Sequence, residues 1–184
     1  MFTHFDKHFG ELAKMTWGII GLGNIGRRVA DIAKAFDCRV IYYSTSGRNS
    51  QPGYERVSFE ELLKESDIVS VHAPLDENTL DLMNKEAFHQ MKKTAIFLNL
   101  GRGPIVVEED LAEALEQGEI AAAGLDVLRV EPMSPENPLR RIKDSEKLLI
   151  TPHIAWASVE ARTRLMEIIC GQIQEFFSNG SPES

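Results

Sequence analysis

Apolar residues in this chain come in short runs separated by longer stretches of helical spacing. The runs Trp17–Gly21, Arg39–Tyr43, Ile68–His72, Ala95–Asn99, Ala121–Leu125 and Leu148–Ile150 have the length and β-branched or aromatic content of buried strands. Between them, apolar positions recur every three or four residues over Ile25–Phe36, Phe59–Glu65, Lys85–Met91 and Glu108–Gln117, which predicts helices. Ser58 with Glu61 reads as a capping box at the start of the second helix, and Gly118 as the stop of the fourth. Strands alternating with helices imply parallel pairing through right-handed crossovers, hence a doubly wound α/β sheet. The connection Asp126–Glu146, with Pro132, Pro135 and Pro138, reads as a long irregular loop, a kind that is often functional. A final helix over Ser158–Phe177 carries Leu165, Ile168, Ile169, Ile173, Phe176 and Phe177 along one side. That stripe either packs on its own sheet or is meant in part for another domain or subunit. Ser178–Ser184 reads as a frayed tail.

The first strand runs into Gly21-Leu22-Gly23-Asn24-Ile25-Gly26, and a helix follows at once. This strand–turn–helix setting makes G-x-G-x-x-G a dinucleotide-binding fingerprint of the Rossmann type, whereas the glycines alone would leave a plain turn as a standing alternative. Gly21 allows the tight turn, Gly23 lets backbone approach a pyrophosphate, and Gly26 lets the helix pack against the strand. The helix N-terminus adds unpaired N–H groups and a positive dipole end.

The bulk properties narrow the picture only a little. With 184 residues, 43% hydrophobic and 26% charged, the chain reads as one ordinary globular domain. A net charge of −8 with no Lys/Arg cluster argues against nucleic acid and anionic membrane as partners. The two cysteines, Cys38 and Cys170, are far apart without metal-ligand spacing; both read as packing residues, and no metal is expected. No apolar run is long enough to span a bilayer and no signal-peptide pattern opens the chain, so the cytoplasm is the expected compartment.

Ligands of open α/β sheets bind beyond the carboxyl ends of the strands, so the residues just after each strand matter most. They are Ser44-Thr45-Ser46-Gly47-Arg48, His72-Ala73-Pro74-Leu75, Asn99-Leu100-Gly101-Arg102-Gly103, Asp126-Val127 on to Glu131-Pro132, and Thr151-Pro152-His153-Ile154-Ala155-Trp156. An arginine, two carboxylates and a histidine are thus expected on one edge, facing the glycine turn. Each has a plainer reading: Arg102 as a solvated loop residue, Asp126 as a turn former, Glu131 as one of 28 acidic residues, His153 as a satisfied structural histidine. Together they suit hydride transfer to a 2-keto acid. A guanidinium holds the carboxylate in a fork, a near-neutral histidine exchanges the proton of the carbonyl oxygen, and a carboxylate orients that histidine. His72 competes for the acid/base role but has no acidic neighbour placed like Glu131, and ranks as cofactor-side or structural.

These ordered motifs, with Gly124-Leu125-Asp126-Val127 and Pro152-His153-Ile154-Ala155-Trp156, resemble the D-isomer-specific 2-hydroxyacid dehydrogenases from about Glu11 to the final helix. The resemblance implies Arg102, Glu131 and His153 as the catalytic set, with His153 the proton donor. It implies Asn24 and Ile25 at the pyrophosphate, and Pro74, Leu100, Gly101 and Asp126 along the adenosine and nicotinamide sites. Gly21, Gly23, Gly26, Ser44, Thr79 and Trp156 complete the expected cofactor residues. Within the family, the His153 segment is most similar to the glycerate/hydroxypyruvate dehydrogenases, which implies hydroxypyruvate or glyoxylate as substrate. A homodimer is an expectation from the same resemblance.

Two departures stand out. NAD-preferring members usually end the second strand with an Asp that accepts bonds from the ribose hydroxyls; here Ser44 holds that place. Arg48 could pair with a 2′-phosphate, or Ser44 could bind the ribose of NAD while Arg48 is solvated. The expected cofactor is therefore NAD or NADP, with the balance slightly toward NAD. Second, members carry an N-terminal half of roughly 100 residues that closes over the cofactor, whereas only Met1–Ala13 precede the first strand here. Phe2, His4, Phe5, His8 and Phe9 resemble the linker entering the nucleotide domain. The expected organisation is a linker remnant over 1–13, an NAD(P)-binding Rossmann domain over 14–157, and a C-terminal helix and tail over 158–184. On this reading the chain binds cofactor but turns over weakly or not at all. A non-catalytic nucleotide-sensing or dimerisation module is the alternative.

Overall fold

The structure, a computed structural model, describes residues 10–48 and 50–178. The linker residues Phe2, His4, Phe5, His8 and Phe9 and the tail beyond Ser178 lie outside the described residues. Two compact units divide the chain, Met1–Ile150 and Thr151–Ser184.

In the first unit, strands β1 (Thr16–Ile20), β2 (Arg39–Tyr43), β3 (Glu55–Arg56), β4 (Ile68–Val71), β5 (Ile96–Asn99), β6 (Ala122–Leu125) and β7 (Leu148–Ile150) form one sheet. Its order is β3-β2-β1-β4-β5-β6-β7, and every pairing is parallel. The order reverses between β1 and β4, the switch point where such sheets leave a crevice. Helices α1 (Asn24–Ala35), α2 (Phe59–Glu65), α3 (Lys85–Gln90) and α4 (Glu108–Gln117) make the crossovers.

Neighbouring strand residues face opposite sides of the sheet; at β1, β2 and β4 both sides are largely covered, which is why those strands read as continuous apolar runs, whereas Ile96 of β5 and Leu149 of β7 are exposed. Ile19, Val40 and Tyr42 join Leu22, Ala30 and Ala33 in one core cluster. Ile20, Ile41, Val69 and Phe97 join Leu62, Phe88, Leu111 and Leu115 in the other. Phe88 and Phe97 meet edge to face with ring centroids 5.4 Å apart. Each such side chain contributes on the order of 1.5–3 kcal/mol by leaving water.

The helix ends behave as their sequence suggests. The Ser58 hydroxyl accepts the Glu61 N–H at 3.1 Å, and Gly118 closes α4 in the left-handed conformation at φ 68°. Most boundaries fall within a residue of expectation. The two-residue strand β3 was not anticipated, because Glu55-Arg56 carries no apolar signal. Two short 3-10 turns, Gly103–Ile105 and Pro138–Arg141, also appear; the second lies inside the connection expected to be wholly irregular.

The second unit holds helix α5 (Val159–Ser178), none of whose residues is buried. Cys170 is therefore exposed, not a packing residue as its helical spacing suggested, while Cys38 is buried as expected. Among the described residues no helix is long and apolar enough to cross a membrane.

Candidate active site

The turn after β1 is built by close backbone approach. Gly21 sits at φ +91°, and a Cβ there would lie 2.7 Å from the Ala73 nitrogen in the loop after β4. A Cβ on Gly26 would come within 2.3 Å of the Gly21 carbonyl oxygen, so α1 is drawn tightly onto the turn. Gly23 is different: nothing lies within 4 Å of where its Cβ would point. It is the N-cap of α1, and no side chain caps that end. The first turn thus leaves its N–H groups without a side-chain cap, an end that a phosphate would suit. Ile25 is well exposed beside it, and the Asn24 Oδ1 accepts from Arg27 Nη2 at 2.6 Å.

After β2, Ser44 is buried and its carbonyl accepts the Gly47 N–H at 3.0 Å. After β4, the Thr79 hydroxyl donates to the Pro74 carbonyl at 2.7 Å and accepts the Asp76 N–H at 2.8 Å. Thr79 is wholly buried. It shapes the Pro74–Asp76 loop from beneath and presents no surface of its own to a ligand. His72 is half-buried, with Nε2 3.1 Å from Ser70 Oγ, which also accepts from Trp17 Nε1 at 2.9 Å. Burial pushes the His72 imidazole down to about 4, so it is neutral at physiological pH. A neutral, walled-in ring is a poor proton donor, in keeping with a structural or cofactor-side rank.

The loop after β5 is organised by Asn99, whose side chain is fully buried. Its Oδ1 accepts the Gly101 N–H and its Nδ2 donates to the Arg102 carbonyl, both at 3.0 Å. Arg102 is exposed, and its Nη1 donates back to the Gly101 carbonyl at 2.8 Å. Asp126 is buried beside this loop, with its N–H on the Asn99 carbonyl at 3.0 Å.

The loops that carry Arg102 and Glu131 meet at Gly103. A Cβ there would lie 1.9 Å from the Leu128 oxygen and 2.5 Å from the Arg129 nitrogen, so the two loops touch backbone to backbone. Glu131 in turn folds back, its Oε1 accepting the Leu128 N–H at 2.8 Å; the Glu131–Pro132 bond is cis. The loop is fastened to α4 by Glu108. That carboxylate accepts the Arg129 N–H at 2.7 Å and the Asn137 Nδ2 at 2.8 Å. Arg129 also pairs with Asp81.

In the second unit, His153 is an exposed residue held at φ +54°. Its N–H donates to the Thr151 carbonyl at 3.0 Å, and its carbonyl accepts Trp156 Nε1 at 2.9 Å. The indole of Trp156 remains half-exposed.

Residues 3–155 match the family described as D-isomer specific 2-hydroxyacid dehydrogenase, NAD binding domain. The chain belongs to this family. It is 42% identical over 183 residues to a hydroxypyruvate reductase of Blautia hydrogenotrophica, a match covering 97% of this chain and 55% of the relative. It is 43% identical over 175 residues to a glyoxylate reductase of Aeropyrum pernix, covering 94% and 51%. Among solved structures, an acyclic imino acid reductase in complex with NADPH and D-Arg superposes with a TM-score of 0.86 at 32% identity, covering 97% of this chain and 56% of that one. The chain thus spans about half the length of the curated relatives it matches.

For a 2-hydroxyacid dehydrogenase domain, the supporting residues are as telling as the expected ones. Asn99, Gly103 and Glu108 set the positions of the Arg102 and Glu131 loops, yet sequence reasoning gave none of them a role. Asn99 left a signal, a polar amide ending an apolar strand. Glu108 left none, since helix first turns are commonly acidic.

Proposed function

We propose that this chain is the cofactor-binding half of a D-2-hydroxyacid dehydrogenase acting on hydroxypyruvate or glyoxylate. The observation that carries the reading is the uncapped N-terminus of α1 at Gly23, open where every neighbouring approach is tight. A dinucleotide pyrophosphate matches that opening in charge and hydrogen-bonding capacity. Gly21, Gly23, Gly26, Asn24 and Ile25 would hold the pyrophosphate, with Ser44, Pro74, Leu100, Gly101, Asp126 and Trp156 along the rest of the cofactor. Thr79 acts on it through the Pro74–Asp76 loop. The nicotinamide supplies or accepts the hydride when bound.

The chain's own groups do the rest. Arg102 forks the substrate carboxylate and polarises the carbonyl. His153 gives its proton to the carbonyl oxygen, or takes it back in the reverse direction. Glu131 supplies the carboxylate of this catalytic set. The family name supports NAD, and the NADPH complex of a relative supports NADP. The relatives' names support hydroxypyruvate and glyoxylate. A homodimer is part of the proposal, supported by the exposed apolar side chains of α5; sedimentation showing only monomer at micromolar concentration would refute it. So is the cytoplasm as compartment, supported by two unpaired cysteines.

The test is titration of NADH and NADPH against the chain, followed by Trp17 and Trp156 emission, then addition of hydroxypyruvate with absorbance of the reduced cofactor recorded. Saturable quenching with little oxidation is expected from this half alone. Failure to bind either cofactor overturns the reading, and robust turnover overturns the assignment of a half-site.

A further inference from the structure

Arg129, just ahead of Glu131, stands where three strand-end loops meet. Its backbone N–H is held by the Glu108 carboxylate at 2.7 Å. Its guanidinium pairs with Asp81 in the loop after β4, and Nη2 lies 3.5 Å from the carbonyl of Pro104 in the turn after β5. The Asp81 N–H donates to the same carbonyl at 3.0 Å, and the Met83 N–H to that of Ile105 at 3.0 Å. One side chain from the loop after β6 thus grips the other two loops.

On one side, the grip reaches the loop proposed to meet the cofactor. The Thr79 hydroxyl bonds Pro74 and Asp76, and the Leu80 N–H reaches the Asp76 carbonyl at 2.9 Å, with Asp81 next in the chain at φ +53°. Pro74 to Asp81 is therefore one hydrogen-bonded turn, and a restraint on Pro74 is felt at Asp81. On the other side, the Glu131 Oε1 accepts the Leu128 N–H at 2.8 Å, so Arg129 lies inside the turn that sets the Glu131 carboxylate. The ion pair is not what keeps this loop folded. Its side chains are 39% and 46% exposed, and exposed pairs add little stability. Glu108 and the backbone contact at Gly103 already fasten the loop. What the pair adds is a link from the cofactor side to the catalytic side.

We infer that Arg129 is a positioning residue: through Asp81 it ties the Glu131 turn to the Pro74–Asp81 turn, so that cofactor bound at Pro74 steadies the Glu131 carboxylate. The inference deepens the dinucleotide reading above and rests on it. Coupling of this kind is reciprocal, so the factor by which cofactor steadies the turn is the factor the turn returns to cofactor affinity. A half-exposed ion pair limits that factor to about fivefold, and salt reduces it further.

The test is hydrogen exchange over Val127–Glu131 in the chain, with and without saturating NADH or NADPH, binding being followed separately by Trp17 and Trp156 emission. Cofactor is expected to slow exchange there about threefold at low salt, and much less at about 0.5 M salt. Arg129→Gln and Asp81→Asn are each expected to abolish the slowing while cofactor affinity stays within about fivefold. The double variant should lose no more than either single one. Asparagine suits the left-handed φ of Asp81, and Arg129→Lys, which keeps the charge, is expected to restore the slowing in part. A slowing that survives in Arg129→Gln, or that is indifferent to salt, overturns the link but leaves the dinucleotide site standing. So does bound cofactor with no slowing in the unaltered chain. Binding of neither cofactor overturns both.

Discussion

Gly103→Ala tests whether the Arg102 and Glu131 loops are held by direct backbone contact. The added Cβ would stand 1.9 Å from the Leu128 oxygen, 2.0 Å from its carbonyl carbon and 2.5 Å from the Arg129 nitrogen. Ordinary contact needs about 3.5 Å, so backbone must part by more than an ångström. No flexible side chain is available to give way. Overpacking of this kind costs about 1–3 kcal/mol, and the backbone partners place it at the upper end. A smaller unfolded-state entropy returns about 0.4–1 kcal/mol, leaving a net loss near 2 kcal/mol. With a urea m-value of about 2 kcal/mol/M, the midpoint should fall by about 1 M with m unchanged. Trp17 emission reports the transition, because its indole is fastened to Ser70 inside the same unit. Gly23→Ala is the paired control. Its Cβ meets nothing within 4 Å, so the stability change should stay below about 1 kcal/mol, a capping effect, while cofactor affinity falls. A midpoint shift under about 0.25 M for Gly103→Ala, the level of a neutral surface change, would refute the backbone-contact account.

Two further outcomes follow from the loop after β4. Thr79→Val keeps the side-chain shape but removes the bonds to Pro74 and Asp76; stability should fall by about 1–2 kcal/mol, and cofactor affinity should drop although Thr79 touches no ligand, as read by urea and nucleotide titrations. The lowered His72 value has a definite sign. The unfolded chain protonates near 6.5 and the folded one near 4, so the unfolded state binds more protons between those values. Stability should be flat above pH 6.5 and decline as pH falls toward 4, by at most about 1.4 kcal/mol per pH unit from this group. His72→Asn should flatten that decline, and an NMR titration should find the ring neutral at pH 6; a His72 that protonates near 6.5 would refute the burial argument.

The sheet was legible because its central strands β1, β2 and β4 are buried on both faces and its helices carry ordinary stop signals. Ser58 and Gly118 mark ends that local hydrogen bonding alone decides. The short strand β3 was not legible, since Glu55 and Arg56 owe their pairing to the loop fastened at Gln51 and Gly53, not to any apolar preference. The exposure of Cys170 was equally hidden: helical spacing says which residues share a side, not whether anything covers that side. At the site, the chemistry-bearing types could be read from the ends of strands. The groups that hold them, Asn99, Gly103 and Glu108, act through contacts distant in sequence, and spacing along the chain carries no record of these.

The Glu108 carboxylate changes what kind of object the Glu131 loop is. A long connection closed only by its strands would search a wide ensemble, and the entropy of closing it rises with its length. Fastening Arg129 and Asn137 to one side chain divides it into shorter spans and leaves Glu131 inside the one from Arg129 to Asn137. The loop then opens only when the first turn of α4 lets go. In hydrogen exchange, the amides around Glu131 should share the protection of that helix end, giving an irregular segment the cooperativity of regular structure.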